Sequence, residues 1–283
     1  MPKARKRKAP ITGIGSTSDT SSSKSESSRA VIRRFHILLK QQAQLRKSII
    51  QNISKKAELA DVEREIRELG GLESYQRMSV IGQGTDRGGG SEKVLIRWLK
   101  DKELHKTRKK LRLLEVGALK PDNYAGYSSW IEAKPMDLNS RHPSILEQDF
   151  LLLDQEQNSE NWDVISLSLV LNFVPEALDR GRMLRLAQKF LLEGGHLFVA
   201  LPLPCLCNSR YLDFDRFTDI MQFLGFTEVQ RHWRQGGKMV YHLFQKKIDS
   251  SPPPEQKLIA VPENLTKKTI LRQGNRNNFS IIL

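Results

Sequence analysis

Two acids and one glycine stand where a nucleoside-like ligand could be held. Glu115 and Gly117 lie in "LLEVGA", at the end of an apolar run, and Asp137 closes "WIEAKPMD", twenty residues beyond Gly117. A glycine at a strand end has no Cβ, so a ligand can approach the backbone closely. A carboxylate at the end of the next strand, at this spacing, suits hydrogen bonds from ribose hydroxyls. "EQDF" follows, with Gln148 and Asp149 as candidates for an adenine amino group and Phe150 for its ring face. "VGA" lacks the second and third glycines of a dinucleotide fingerprint, which counts against NAD. The plainer alternative is that Glu115 and Asp137 are ordinary polar residues at strand ends.

A second stretch, "GQGTDRGGGS", holds five glycines within nine residues, 82 to 90. It follows no convincing strand, is not Gly-x-Gly-x-x-Gly, and has no Gly-Lys-Ser/Thr close. Two readings stay open. It is a flexible linker, or a lid over the ligand with Gln83 and Arg87 as polar contacts. Arg87 could then meet a carboxylate in a charge-assisted pair.

The elements that must position these residues follow from periodicity. Residues 29 to 69 read as helical, with Leu38, Leu45, Ile49 and Ile53, then Leu59, Val62, Ile66 and Leu69, on one face. Another helix starts near residue 93. "LRLLEVG", "WIEAKPMD", "ILEQDFLLLD" and the almost wholly apolar "WDVISLSLVLNFVP" read as strands, the last as a central one. Residues 175 to 192 form an amphipathic helix opened by Pro175. "EGG" turns into the strand "HLFVALP", "DFDRFTDIMQFLGF" is a helix, and "TEVQRHWR" and "MVYHLFQ" make a hairpin about "QGGK". Alternating strands and helices imply an α/β layered sheet. The division expected is a basic, Ser-rich tail over 1–28, a helical region with the glycine loop over 29–110, the sheet over 111–247, and a linker with a loosely structured tail over 248–283.

The 283 residues carry a formal charge of +14, which suggests an anionic partner, nucleic acid first, unless the charge resides in disordered tails. "MPKARKRKAP" has no apolar signal-peptide core and reads as a nuclear address or nucleic-acid arm. No apolar run approaches the roughly 18 residues of a membrane helix. Cys205 and Cys207 are one residue apart and have no partners for a zinc site; the six histidines show no ligand spacing. Reduced thiols and no metal are expected.

The sheet ending on an antiparallel hairpin resembles that of the class I S-adenosylmethionine-dependent methyltransferases. That cofactor has no phosphates and tolerates a less glycine-rich loop. More specifically, "YQRMSVIGQGTDRGGGSEKVL", "LLEVGAL", "SLVLNFVPEALDRGRMLRLAQKFLLEGGHLFVALPLPC" and "NSRYLDFDRF" resemble the fungal large-subunit (25S) ribosomal RNA adenine-N1 methyltransferases over roughly residues 30 to 247. The resemblance implies S-adenosylmethionine at Gly117 and Asp137, ribosomal RNA or a pre-ribosome as partner, a monomer, and a nuclear, nucleolar location. The family has an animal branch that binds the cofactor as a sensor controlling a growth-signalling kinase, which is the alternative function.

Adenine N1 has an in-plane lone pair and needs no strong general base, so alignment is the main task. The base edge must also be freed from pairing. Candidates for the base pocket are Asn172, for the adenine edge, and Phe173, which stacks or is simply core. Arg210 and Tyr211 in "NSRY" could close it, and the basic run 105–112 and the N-terminal cluster would contact phosphates.

Overall fold

A computed structural model of the chain describes residues 28–49, 55–71, 90–140, 142–248 and 260–283. The short apolar runs become seven strands of one sheet: β1 Leu111–Val116, β2 Ile131–Asp137, β3 Leu146–Glu147, β4 Trp162–Ser168, β5 Leu191–Pro202, β6 Phe226–Trp233 and β7 Met239–Lys246. Their order is β3-β2-β1-β4-β5-β7-β6. The first five strands pair in parallel, and β7 runs antiparallel between β5 and β6. The chain builds outward from β1 to β3, then returns to lay β4 on the other side of β1. That reversal opens a crevice at the carboxyl ends of β1 and β4.

The pleat sends alternate side chains to two layers. Leu114, Val116, Ile165, Leu167, Leu197 and Val199 face helices α4 (Ala177–Phe190) and α5 (Phe214–Phe223). Leu111, Leu113, Val164, Phe198 and Leu243 face helix α3 (Ser91–Asp101), which buries Leu95, Ile96, Trp98 and Leu99 against them. Trp98 meets Phe198 edge to face at 5.9 Å.

Helices α1 (Ser28–Ile49) and α2 (Lys56–Glu68) pair with each other. Leu38 and Leu45 are buried, as the stripe predicts, and Phe35 joins them. Arg34–Glu65 and Arg46–Glu63 ion pairs cross between the two helices. Ile53 and the glycine segment with Gln83 and Arg87 lie outside the described residues.

"ILEQDFLLLD" is strand only at Leu146–Glu147 and turns helical over Phe150–Leu152, and two further expectations change. The sequence predicts "EGG" as a turn before β5, but the strand runs through it from Leu191, absorbing it by a register shift opposite Trp162 and Val164. The positive φ of Gly194 (72°) permits that irregularity. The larger correction is the C-terminal segment. Residues 260–283 are not a loose tail: Leu265, Phe279 and Ile281 are buried in the main core. Ser209 bridges Asn277, Ile282 N–H donates to Ala177 O at 3.1 Å, and Leu283 N–H donates to Leu265 O at 3.0 Å. Buried Arg216 donates to the carbonyls of Asn264 and, at 2.8 Å, Lys267. A Cβ at Gly181 would run into the carbonyl of Ile282, so α4 admits the segment only because residue 181 is glycine.

Candidate cofactor and base pocket

The registry of the sheet sets the site. Val116 pairs with Met136 and with Leu167, so Gly117, Asp137 and Ser168 emerge side by side. The amides of Gly117 and Ala118 both donate to Met136 O, at 2.8 and 3.0 Å, which ties the turn after β1 to the end of β2. Gly117 has φ 78°, a left-handed conformation that favours glycine. A Cβ there would lie 2.8 Å from Val170 Cγ2. Both the dihedral and the space therefore call for glycine.

These strand ends border a cavity of about 430 Å³, within the usual range for a small-molecule or cofactor site. Gly117, Asp137, Gln148, Asp149, Phe150 and Phe173 all line it. Six positions proposed from scattered stretches of sequence are thus brought together. Asp137 Oδ1 accepts the Asn139 N–H at 2.9 Å, and its main-chain oxygen accepts the Gln148 N–H at 3.0 Å. Partial burial pushes the Asp137 carboxyl above its ordinary pKa. Asp149 caps the following helical turn through the Leu151 N–H at 2.8 Å. Phe150 is mostly core, edge to face with Phe190 at 5.7 Å, and only borders the cavity.

Glu115 and Asn172 are not among the lining residues. The pleat turns Glu115 to the α3 side, opposite Val116. There it is buried and accepts Asn123 Nδ2 at 2.7 Å. Desolvation raises its pKa to about 7, the Asn123 hydrogen bond opposing the shift and the Glu92 and Asp122 charges adding to it. Asn172 sits on the loop after β4, and its buried Oδ1 has no hydrogen-bond partner among the described residues.

Arg180 of α4 shapes that loop. Its guanidinium donates to the carbonyls of Leu171, Val174 and Pro175 at 2.7–3.1 Å and to Ser280 at 2.5 Å. Its Cζ lies 4.5 Å from the Phe279 ring centroid. Burial lowers its pKa to about 10, so it stays charged at neutral pH.

Sequence reasoning missed further lining residues. Leu39 of α1 reaches the cavity, as do Leu138, Asn139, Ser168, Val170 and Met183. Position just past a strand end was a usable signal for Leu138, Asn139 and Val170; nothing in the sequence pointed to Leu39. Ser168 Oγ donates to Ser91 Oγ at 2.7 Å, so the start of α3 is anchored beside the cavity.

The expected phosphate contacts divide. The run 105–112 leads into the amino end of β1, and Arg112 bonds Asn161 and pairs with Asp163. One strand length, six residues or about 20 Å, separates it from the cavity end. Arg210 and Tyr211 follow β5 in the chain, past its carboxyl end, and are not among the residues that line the cavity.

A family model described as "25S rRNA (adenine(2142)-N(1))-methyltransferase, Bmt2" matches residues 60–281. The chain is 33% identical to the 25S rRNA adenine-N(1) methyltransferase of Schizosaccharomyces pombe, over 89% of each chain. It is 31% identical to the 25S rRNA (adenine(2142)-N(1))-methyltransferase of Saccharomyces cerevisiae, over 83% of this chain and 70% of that one. Among solved structures, a S-adenosylmethionine-dependent methyltransferase from Clostridium acetobutylicum ATCC 824 matches with a TM-score of 0.47 and 10% identity, over 62% of this chain and 99% of that one. The family match takes in β1, the loop after β4, α4 and the C-terminal segment that α4 holds in place; on that span and that identity, the chain belongs to the Bmt2 family of 25S rRNA (adenine-N1)-methyltransferases.

Proposed function

We infer that the chain is an S-adenosylmethionine-dependent methyltransferase acting on N1 of an adenine in large-subunit (25S) ribosomal RNA. The observation that carries this is the cavity at the carboxyl ends of β1, β2 and β4, with Gly117 and Asp137 side by side, in a chain of this family. The adenine equivalent to the one numbered in the Saccharomyces cerevisiae relative's name is the proposed target.

The residues present suit the cofactor. Gly117 leaves room for close approach, and Asp137 offers a carboxylate for ribose hydroxyls. Gln148 and Asp149 stand at the next turn for the adenine amino group, and Phe150, which borders the cavity, would offer its ring face. S-adenosylmethionine supplies a sulfonium-borne methyl group. Held there, it would present that methyl group to adenine N1, whose in-plane lone pair needs no strong general base, so the task left to the chain's own residues is alignment. Phe173 lines the cavity and is proposed to bound the base, exclude water and help hold N1 in line; Asn172 lies on the same loop outside the lining and makes no direct contact in this arrangement. Gln83 and Arg87 are proposed as contacts from a segment that rejoins the described chain at Gly90, beside the Ser91–Ser168 anchor.

The test is methyl transfer from labelled cofactor to deproteinised large-subunit RNA, with N1-methyladenine mapped by primer-extension arrest. Label on RNA from the unaltered chain, sharply reduced in Asp137→Ala at limiting cofactor, is the expected result. Cofactor binding with no label on RNA would overturn it in favour of the sensor reading. A monomeric state and a nuclear, nucleolar location belong to the same proposal. The latter is supported by Lys3, Arg5, Lys6, Arg7 and Lys8 near the N-terminus. Light scattering and imaging of a tagged chain check them; a stable dimer or exclusion from the nucleus would count against each.

A further inference from the structure

The cavity side of the sheet carries a group of cations that, among the described residues, have no carboxylate partners. The loop after β5 and the turn between β6 and β7 both lie there, because β7 runs antiparallel to β5 and Met239 pairs with Pro202. The Leu203 N–H donates to Lys238 O at 2.8 Å, joining the two. The C-terminal segment packs against the same loop, with Arg210 N–H donating to Asn277 O at 2.9 Å and Leu271 N–H to Arg210 O at 2.8 Å.

Neutral acceptors hold the guanidinium groups here. Arg210 donates to Asn278 Oδ1 at 2.7 Å and Gly274 O at 3.2 Å, and Arg276 donates to Asn208 Oδ1 at 2.8 Å. Lys268 Nζ and Arg210 Cζ lie 5.9 and 6.0 Å from the Tyr211 ring centroid. Among the described residues, no ion pair engages Arg210, Lys238, Lys268 or Arg276, whereas Arg272 pairs with Asp213 and Lys267 with Glu263. An arginine fixed by amide and carbonyl oxygens keeps its full charge and loses its freedom, which lowers the entropy cost of meeting an anion. Arg276 is four residues from Ser280, at most about 13 Å of chain, and Ser280 is bonded to the arginine that shapes the cavity rim.

We propose that the C-terminal segment, the "NSRY" loop and the β6–β7 turn form the RNA-docking rim of this protein. Lys238, Lys268, Arg210 and Arg276 take backbone phosphates, and Tyr211 offers a face to an unpaired base. The proposal rests on the RNA methyltransferase reading and places the RNA on the β5–β7 side of the cavity, not on the basic run 105–112. Mixed phosphate and aromatic contacts are what single-stranded RNA requires.

The experiment uses the full chain and a full-length large-subunit rRNA transcript, with affinity measured at several salt concentrations. Replacing Lys238, Lys268 and Arg276 by alanine removes three charges from exposed positions. The slope of log affinity against log salt is expected to shrink by about 2 to 3, at about 0.7–0.9 for each phosphate no longer neutralised. Cofactor affinity by calorimetry should be unchanged. A matched variant, Arg108→Ala, Lys109→Ala and Lys110→Ala, should keep the wild-type slope. An unchanged slope in the first variant, or an equal reduction in the second, would overturn the rim. RNA binding without methyl transfer by the unaltered chain would instead count against the reaction and leave the rim standing.

Discussion

Arg180 and Ser280 stand one hundred residues apart and share a hydrogen bond, Nη1 to carbonyl oxygen, at 2.5 Å. The same guanidinium takes the carbonyls of Leu171, Val174 and Pro175. One buried cation therefore joins the C-terminal segment to the loop that carries Asn172 and Phe173. The loop after β4 and the last residues of the chain are mechanically one unit.

Arg180→Met should separate them. It removes the donors of four carbonyl oxygens, and unsatisfied buried acceptors cost about 1–3 kcal/mol each where water cannot replace the partner. A net loss of about 3–5 kcal/mol is expected in chemical denaturation. The C-terminal segment should become susceptible to limited proteolysis at protease concentrations that spare the unaltered chain. Equal stability and equal protection would show that Arg180 does not join these parts.

Gly117→Ala should strain the turn that borders the cavity, lowering both stability and cofactor affinity. A left-handed φ at a residue with a Cβ costs about 1–2 kcal/mol, and the new methyl meets Val170 Cγ2. Adding Val170→Ala relieves the contact and leaves the dihedral strain. Calorimetry with S-adenosylmethionine should therefore show partial recovery in the double variant; full recovery would mean that the positive φ carries no penalty.

Asp137→Ala should lower cofactor affinity about 10- to 100-fold, the effect of losing one or two charge-assisted hydrogen bonds. Within the fold its carboxylate bonds locally, accepting the Asn139 N–H two residues on. Thermal stability should change little. A large drop in stability with unaltered affinity would assign Asp137 to the turn and not to the ligand.

Glu115 gives a pH signature. Its folded pKa is raised from 4.5 to about 7 by burial. Below pH 4.5 both states hold the proton. Between pH 4.5 and 7 the unfolded chain releases it first, so stability falls as pH rises, and above pH 7 the loss is complete at about 3 kcal/mol. Glu115→Gln keeps an acceptor for Asn123 and removes the titration. The variant should match the unaltered chain at about pH 4 and exceed it at about pH 8 in urea denaturation. A constant difference across this range would refute the assignment.

The strand-and-helix alternation, the places of Gly117 and Asp137 at adjoining strand ends, and the antiparallel hairpin were legible in the sequence. Each depends on local period and on turn chemistry, which neighbouring residues alone set. That Gln148, Asp149, Phe150 and Phe173 border one cavity follows the same rule, because loops after parallel strands share one end of a sheet. What only the tertiary structure decided depends on partners far apart in the chain. Glu115 was separated from the cavity by the pleat, since one residue along a strand reverses the face. Leu39 reached the cavity by helix docking, which leaves no local pattern. The C-terminal segment has no period to read, because its order comes from a glycine at 181, an arginine at 180 and three scattered apolar side chains. Net charge predicted an anionic partner, but it could not say which cations remain unpaired. That is settled by which oxygens, neutral or anionic, the fold places beside each one.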